Sequence, residues 1–325
     1  MMRELNNSTL RIGILGSGNV THKAYLPLLR TWPQTSIVGL YGRTKKNVEK
    51  ICSDWQLGFG TTDIEALIEK KPDVAFVLTS RPSHEPLVKE LLQSGIDVYV
   101  EKPATESSKS ISALSNLAEE RGLVLMVGFN RRYALLYRQA KEIFSQRPIQ
   151  MCIVEKHRPS AYHTSLYNNY LEDTIHQIDL LRFFCGDVQA LHTSFEMRAG
   201  KLIGALSVAK LEEGGHAVVL TSLQAGSWQE RVTLHGGSLT AEVTAFRELV
   251  VKHEDRVEVY GPDRPGRWIP ELVERGFHGA IEHFFHCVRK RETPQTDGHQ
   301  GLRTQELVEA FVTCAGEKLV VTPQF

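Results

Sequence analysis

The feature that most constrains the fold is a glycine turn between a strand and a helix near the start of the chain. Residues 10–15 form a short apolar strand candidate, Gly16-Ser17-Gly18 follows directly, and a leucine-bearing helix comes next. The first glycine of such a turn permits a tight bend, and the second lets the backbone approach a pyrophosphate at the helix N-terminus. A purely structural turn is the alternative. The pattern predicts cofactor contacts at Gly16, Gly18, Asn19 and Val20, and it departs from the usual glycine or alanine at Thr21.

The end of the second predicted strand bears on the type of cofactor. That strand, residues 36–41, leads into Gly42-Arg43-Thr44, and no aspartate or glutamate occurs between Gly39 and Lys46. An NAD site usually places a carboxylate here for the ribose 2′-hydroxyl, whereas an arginine suits a 2′-phosphate. Arg43 and Thr44 therefore predict NADP in preference to NAD. The alternative is a solvated, basic start to the next helix.

Strands and helices then alternate as far as residue 128. The further strands are predicted near residue 59 and over residues 74–78, 98–100 and 123–127. Such alternation predicts right-handed crossovers and a doubly wound parallel sheet covered on both faces. Thr79 and His84 follow one of these strands, so both are predicted at the same sheet edge as the glycine turn, as cofactor contacts. For His84, capping of the helix that it begins is the alternative.

The fifth predicted strand ends abruptly in Glu101-Lys102-Pro103. Proline has no backbone donor and drives the preceding residue into an extended conformation, so Lys102 should lie at the carboxyl edge of the strand. Ligands of an open parallel sheet bind at that edge, which places Glu101 and Lys102 among the expected cofactor contacts and Lys102 in the active site. A surface Glu–Lys pair is the alternative.

The strict alternation fades at residue 128, which predicts a dinucleotide-binding domain over residues 1–128 and a second domain over residues 129–325. Strand candidates in the second domain cover residues 150–156, 189–197, 216–223, 231–234 and 256–260. Runs of strands joined by turns predict an α+β domain with a large, mainly antiparallel open sheet, one face of which can pack on a partner. A final helix, about residues 301–319, is expected to pack back on the first domain.

One helix of the second domain carries a candidate acid–base group. Residues 171–185 have apolar side chains at helical spacing. His176 lies among them, and Glu172, Asp173 and Asp179 are three or four residues away, so each carboxylate can neighbour the imidazole. Interaction with the helix dipole is the alternative explanation for Glu172 and Asp173.

Composition excludes several classes of function. Lysine plus arginine and aspartate plus glutamate both number 38, so no charge excess points to nucleic acid or to a membrane surface, and a small-molecule substrate is expected. Five cysteines without a Cys-x-x-Cys pair, together with a polar N-terminus, predict a cytoplasmic protein. No metal is predicted, because His278, His283 and His286 lack a recognised ligand motif.

Four motifs, in this order, resemble the glucose-fructose oxidoreductase, inositol dehydrogenase and rhizopine catabolism family, written Gfo/Idh/MocA, and in particular its MviM-like branch. They are the glycine turn, Glu101-Lys102-Pro103, residues 128–132 and residues 175–179. The resemblance implies an N-terminal Rossmann domain and a C-terminal substrate-binding α/β domain whose open sheet joins homodimers or homotetramers. It also implies NAD(P)-dependent oxidation or reduction of a sugar, polyol or related carbonyl compound.

The resemblance makes Lys102 and His176 the catalytic pair. The aspartate that commonly stands four residues before this histidine is Glu172 here, and Asp173 lies one residue closer, so Asp173 is preferred as the third catalytic residue. In the expected hydride transfer, His176 acts as acid and base, since an unperturbed histidine has a pKa of about 6.5. The candidates for contact with substrate hydroxyls are Asn130, Arg131, Tyr162, His163 and Glu172.

Two alternatives to this activity stay open. A catalytically silent NAD(P)-binding sensor or regulator would use the same fold, because a fold alone does not define a function. A non-sugar substrate, such as a tetrapyrrole or a dihydrodiol, would keep the enzyme class and change the substrate pocket.

Overall fold

The computed structural model describes residues 9–261 and 268–316, which fall into two compact units. The first unit contains residues 9–130 and 277–302, and the second contains residues 131–261, 268–276 and 303–316. The polar start of the chain and the predicted continuation of the last helix to residue 319 lie outside the described residues.

The first unit contains a six-stranded parallel sheet. Its strands are Leu10–Leu15 (β1), Thr35–Tyr41 (β2), Gly60–Thr61 (β3), Val74–Val77 (β4), Asp97–Val100 (β5) and Leu125–Val127 (β6). Their spatial order is β3-β2-β1-β4-β5-β6, and every pair is parallel. The direction of winding reverses between β1 and β4, and ligands of an open α/β sheet bind outside the carboxyl ends of its strands at such a point.

Helices alternate with these strands. They are Leu26–Leu29 (α1), which continues a π-helical turn over Thr21–Tyr25, then Lys45–Asp54 (α2), Ile64–Ile68 (α3), His84–Gln93 (α4) and Ser108–Glu120 (α5). Every residue of β4 and β5 is buried, as expected for parallel strands that are covered on both faces. Local polar residues determine where two of the helices begin. The side chains of Asp63 and Ser107 accept backbone N–H groups at the starts of α3 and α5.

The second unit contains an eight-stranded sheet. Its strands are Met151–His157 (β7), Val188–Arg198 (β8), Lys201–Leu211 (β9), His216–Ser222 (β10), Gln229–Gly236 (β11), Leu239–Thr244 (β12), Glu248–His253 (β13) and Arg256–Tyr260 (β14). The order is β14-β13-β12-β11-β7-β10-β9-β8. All neighbours are antiparallel except β7 and β10, which run parallel.

Four helices lie wholly within the described residues of the second unit, namely Leu135–Ile143 (α6), Leu166–Asn169 (α7), Ile175–Cys185 (α8) and Glu271–Glu274 (α9). A π-helical turn over Tyr170–Thr174 joins α7 to α8. Helix α8 lies against β7 and β10, whose residues alternate between buried and half-buried positions. One face of the sheet is therefore covered, and the other is partly open.

Residues 277–302 extend the core of the first unit. They include Phe277–Lys290 (α10) and the start of Gly298–Thr313 (α11). Phe284 packs edge-on against Phe76 and Tyr99, with ring centroids 5.5 and 5.6 Å apart. The N–H of Val127 donates to a carbonyl of this segment, that of Thr296, at 2.7 Å. The segment therefore completes a core that begins in the N-terminal strands.

The fold class predicted from the sequence is confirmed, namely a doubly wound parallel sheet with a second domain built on a mainly antiparallel sheet. Three strands, β9, β12 and β13, are absent from the prediction. Gly204 interrupts the β9 pattern, and the other two are short strands stabilised by pairing on both sides, so pairing outweighs their own propensity. Within residues 9–261 and 268–316, no helix is long and apolar enough to cross a membrane.

Candidate active site

The glycine turn lies at the carboxyl end of β1, where the winding of the sheet reverses. Gly16 has φ +122°, and a Cβ built on it would lie 2.6 Å from the backbone carbonyl of Leu78. Only glycine fits a chain that approaches its neighbour this closely. A Cβ on Gly18 would meet nothing within 4 Å, so space remains open at the second glycine. The turn therefore satisfies the steric requirements for phosphate to approach its backbone.

A cavity of about 340 Å³ opens beside this turn, entirely within the first unit. Its walls include six of the predicted cofactor contacts, namely Gly16, Gly18, Val20, Arg43, Thr44 and Thr79. The other lining residues are Ser17, Gly42, Asn47, Leu78 and Ser80. All but Asn47, which lies in the first turn of α2, closely follow the same strands as the predicted contacts, so their place at the strand ends was the signal that could have identified them. The lining contains one arginine and no carboxylate.

The remaining predicted cofactor contacts lie outside the walls of this cavity. Asn19 is exposed, and His84 and Glu101 are buried. His84 has both ring nitrogens at backbone carbonyls, with Nδ1 2.8 Å from the Pro103 oxygen and Nε2 2.9 Å from the Thr79 oxygen. Burial lowers the pKa of His84, and the two carbonyls only partly offset this effect. A neutral ring donates to only one of these carbonyls, and the ring lies between two strand-end segments rather than capping its helix.

Lys102 is the second residue after β5 and is half-buried. Glu101, the residue before it, is held through its backbone and its side chain. Its N–H donates to the Val77 carbonyl at 2.9 Å, and its Oε1 accepts from the Tyr25 hydroxyl at 2.5 Å. The Lys102 N–H donates to the other carboxylate oxygen at 3.0 Å. The Lys102–Pro103 peptide bond is cis. Sequence reasoning missed Tyr25, which looks like an ordinary apolar position of the first helix.

In the second unit, His176 is buried near the start of α8, one turn after Asp173. Both carboxylate oxygens of Asp173 accept from Arg158, at 2.7 and 2.5 Å, and Oδ1 also lies 3.0 Å from Lys156 Nζ. Burial would raise the pKa of Asp173, but Arg158 and Lys156 outweigh it and hold this pKa well below its usual range. Asp173 is therefore a fixed negative charge within the turn that leads to His176.

Asp173 is part of a buried charged cluster that consists of Arg131, Lys156, Arg158, Asp173 and Glu230. Lys156 is 2 % exposed and lies between Asp173 and Glu230, at 3.0 Å from each. Arg131, predicted to contact substrate, donates to both oxygens of Glu230 at 2.8 and 2.6 Å. Burial opposes ionisation of Glu230, yet Arg131 and Lys156 lower its pKa to about 2. Three cations, of which Arg158 is only half-buried, thus contact two buried carboxylates.

Three predicted substrate contacts lie together at one place in the second unit. The rings of Tyr162 and His163 are in contact at an interplanar angle of 37°, with centroids 4.1 Å apart, and His163 Nδ1 is 3.7 Å from Glu172 Oε2. Tyr162 is half-exposed, whereas His163 is buried. Asn130 belongs to the first unit, where it is buried at the start of a 3₁₀ turn.

The other carboxylate near His176 in sequence has different partners. Asp179 accepts from Arg132 at 2.9 and 2.7 Å and from the Thr304 hydroxyl at 3.1 Å. This pairing ties α8 to the start of the unit and to α11. Among the described residues, no group of histidine, cysteine, aspartate and glutamate is arranged to hold a metal ion.

A parallel sheet in this order, with a glycine-walled cavity where its winding reverses, defines the class of dinucleotide-binding Rossmann proteins. A family profile described as "Oxidoreductase family, NAD-binding Rossmann fold" matches residues 10–129. YceM of Salmonella typhimurium, which is named an oxidoreductase, is 32% identical over 312 residues, covering 93% of this chain and 97% of YceM. The chain belongs to the Gfo/Idh/MocA family of oxidoreductases, as its motifs predict.

Two further comparisons agree with this assignment. The scyllo-inositol 2-dehydrogenase (NAD(+)) of Bacillus subtilis is 23% identical over 309 residues, covering 88% of each chain. The crystal structure of the dehydrogenase MviM from Clostridium difficile superposes with a TM-score of 0.87 at 26% identity, covering 94% of this chain and 99% of MviM. The protein is therefore an enzyme of the NAD(P)-dependent dehydrogenase and reductase class, acting on CH–OH or C=O groups.

Proposed function

We propose that this enzyme transfers a hydride reversibly between a nicotinamide cofactor and the carbinol or carbonyl carbon of a sugar, polyol or related small molecule. The observation that carries the proposal is the position of Lys102 at the end of β5, beside the strand whose end lines the glycine-walled cavity. A cation at that edge of the sheet suits an oxygen that gains negative charge. The polyol named for the Bacillus relative supports this class of substrate.

The nicotinamide supplies the hydride chemistry when it is bound, so the protein must orient the substrate and manage one proton. Lys102 donates a hydrogen bond to the oxygen on the reacting carbon and favours its negative form. His176 removes the hydroxyl proton during oxidation and returns it during reduction, a role that suits a group with an ordinary pKa of about 6.5.

Asp173 serves this chemistry as a positioning residue. Its carboxylate is held by Arg158 and Lys156, and it belongs to the π-helical turn Tyr170–Thr174 directly before α8. Fixing that turn fixes the start of the helix on which His176 stands. Tyr162, His163 and Glu172 are assigned to substrate hydroxyls, because the half-exposed Tyr162 ring and the Glu172 carboxylate flank His163.

NADP is proposed as the preferred cofactor. Arg43 and Thr44 line the cavity at the end of β2, and no carboxylate among the lining residues is available for a ribose 2′-hydroxyl. An arginine at this place favours a 2′-phosphate. The Bacillus relative is named for NAD(+), so the comparison of NADPH with NADH is informative for this chain.

The open face of the eight-stranded sheet is proposed to join a second copy of this chain into a homodimer or homotetramer. Leu206 pairs with Leu220, and Val208 pairs with Val218, on β9 and β10, the two strands next to the β8 edge of that sheet. Leu206 is 39% exposed and the other three are half-buried, although all are aliphatic. Apolar side chains left open on a sheet face are typical of a protein interface. A Leu206→Asp variant tests this, because it should elute as a smaller species than the wild type.

A cytoplasmic location is also proposed. The five cysteines are all free, and a reducing compartment keeps thiols in that state. Fractionation of cells that produce the tagged protein would test the location.

The activity is tested by screening NADPH and NADH, by cofactor fluorescence, against a panel of sugars, inositols and aldehydes, with the oxidised cofactors used for the reverse direction. We expect binding of NADPH and turnover of at least one polyhydroxylated compound. Binding without turnover across the panel would favour the silent sensor instead. The matched control is a Gly16→Val variant, which should lose cofactor binding because its Cβ meets the Leu78 backbone.

A further inference from the structure

Lys102 stands between two residues that are each held by a side chain from another part of the first unit. On one side, Glu101 Oε1 accepts from the Tyr25 hydroxyl at 2.5 Å. On the other side, the Pro103 carbonyl lies 2.8 Å from His84 Nδ1. Tyr25 and His84 are both buried, at 0% and 2% exposure, so neither contact competes with water.

The Tyr25 contact has a defined direction. Burial, and then the neighbouring Glu101 carboxylate, raise the pKa of Tyr25 well above its ordinary value, so the hydroxyl keeps its proton and donates it. The second oxygen of Glu101 accepts from the Lys102 N–H at 3.0 Å. One carboxylate therefore connects Tyr25 to the backbone of the lysine itself.

Both anchoring residues, Tyr25 and His84, are close to segments that line the glycine-walled cavity. Tyr25 ends the π-helical turn Thr21–Tyr25, which follows the glycine turn closely. His84 Nε2 lies 2.9 Å from the carbonyl of Thr79, and Thr79 lines the cavity. Two of the three segments that line the cofactor cavity, residues 16–20 and 78–80, are thus close in sequence to Tyr25 and His84, the residues that hold Glu101 and Pro103.

We propose that Tyr25 and His84 are positioning residues that clamp the backbone on both sides of Lys102 and so set the direction of its side chain relative to the cofactor cavity. This inference rests on the proposed function, in which Lys102 acts on the reacting oxygen. Neither residue touches substrate in this account. Their contribution is geometric, because a misplacement of about 1 Å at a reacting group can reduce the rate about a hundredfold.

The test compares Tyr25→Phe with Tyr137→Phe. Both changes delete a buried tyrosine hydroxyl, but that of Tyr137 has no hydrogen-bond partner among the described residues. We expect Tyr25→Phe to lower kcat by about tenfold to a hundredfold, with KM and cofactor Kd within about threefold of wild type. Tyr137→Phe should stay within about twofold in all three constants. Equal kcat values for Tyr25→Phe and wild type would overturn the proposal.

A pair of variants at His84 separates its two contacts. The amide nitrogen of asparagine can replace Nδ1 and keep the Pro103 contact, whereas that of glutamine can replace Nε2 and keep only the Thr79 contact. We expect His84→Asn to retain more of the wild-type kcat than His84→Gln. The reverse order would contradict a clamp that acts through Pro103. This pair also decides the matter if Tyr25→Phe does not fold.

A readout without turnover distinguishes failure of the clamp from failure of the proposed function. The lysines are dimethylated with an isotope label, and the Lys102 signal is assigned by its loss in Lys102→Arg. Tyr25→Phe and His84→Gln should shift or broaden that signal, and Tyr137→Phe should leave it unchanged. If the wild type binds NADPH but turns over nothing, the proposed function is excluded and the clamp is not. An unchanged Lys102 signal in both variants removes the clamp.

Discussion

Arg158 donates hydrogen bonds to both carboxylate oxygens of Asp173, at 2.7 and 2.5 Å, and Asp173 lies one turn before His176. The pair does not stand alone, because Lys156 Nζ approaches the same carboxylate at 3.0 Å and reaches the Asp173 carbonyl at the same distance. The acid that precedes the candidate catalytic histidine by one turn is thus paired with cations of β7 and of the segment just after it. In the proposed mechanism it acts on the histidine through the backbone that the two residues share.

Replacing Asp173 with asparagine should destabilise the protein strongly. The change leaves Lys156, which is 2 % exposed, with one carboxylate instead of two, and loss of one partner from a buried ion pair costs about 3–5 kcal/mol. Glu172→Gln, which alters an exposed carboxylate next door, should cost less than about 1 kcal/mol. Urea unfolding measures both changes. Equal stability of the two variants would show that the cluster does not hold the turn.

Stability should fall in acid because of the same cluster. The pKa of Glu230 is lowered to about 2, and that of Asp173 also lies below its usual range, so the unfolded state binds these protons more tightly. The stabilisation is full above the unfolded pKa of about 4.3 and is lost as the pH falls toward about 2. The contribution of Glu230 is on the order of 3 kcal/mol.

Unfolding curves between neutral pH and about pH 2.5 test this dependence. A Glu230→Gln variant should be less stable than wild type at neutral pH and should lose less stability on acidification. Parallel pH profiles for the two proteins would contradict the assignment.

His84 should produce a separate loss of stability at milder pH. Burial lowers its pKa in the folded state, so protonation favours the unfolded chain. Stability is therefore full above the unfolded pKa of about 6.5 and declines as the pH falls below it. Removing the titrating ring in His84→Asn should flatten this decline. If the wild type instead gained stability relative to the variant as the pH falls from about 7 to about 5.5, folding would raise the pKa of His84 rather than lower it.

Arg43 should discriminate between the two cofactors. Arg43→Ala removes the cation that faces the cavity, and a hydrogen bond to a charged group contributes about 1.5–3 kcal/mol, so NADPH affinity should fall about tenfold or more. NADH affinity should change less than about twofold, because it has no 2′-phosphate. Lys46→Ala is the control, because Lys46 lies three residues after Arg43 and outside the cavity lining. An equal loss for both cofactors would exclude a role in 2′-phosphate binding.

The sequence predicted the positions of site residues best where those residues closely follow a strand. Gly16, Arg43 and Thr79 each come one or two residues after a strand, and a parallel sheet brings strand ends to one edge, so a linear pattern sufficed to place them in the wall of one cavity. The interactions around Lys102 were not accessible in this way. Tyr25 and Glu101 are 76 positions apart, and no helical or strand periodicity relates them.

The charged residues of the second unit show the same limit. Helical spacing alone places Asp173 and Asp179 next to His176, but tertiary partners on other elements compete for both carboxylates. Arg131 and Glu230 meet across 99 positions, which a sequence reading of Arg131 as a substrate contact does not anticipate. Buried opposite charges attract over such separations in sequence once the fold brings them together, here from a 3₁₀ turn and from β11.

The most direct test of the account is single-turnover kinetics of cofactor oxidation with Lys102→Ala and His176→Ala, using a substrate that the wild type turns over. If Lys102 stabilises the reacting oxygen and His176 transfers the proton, each variant should lose a factor of about a hundred to ten thousand in rate. Cofactor Kd, measured by fluorescence on the same samples, should stay within about threefold of wild type. Near-wild-type rates in both variants would contradict the central claim.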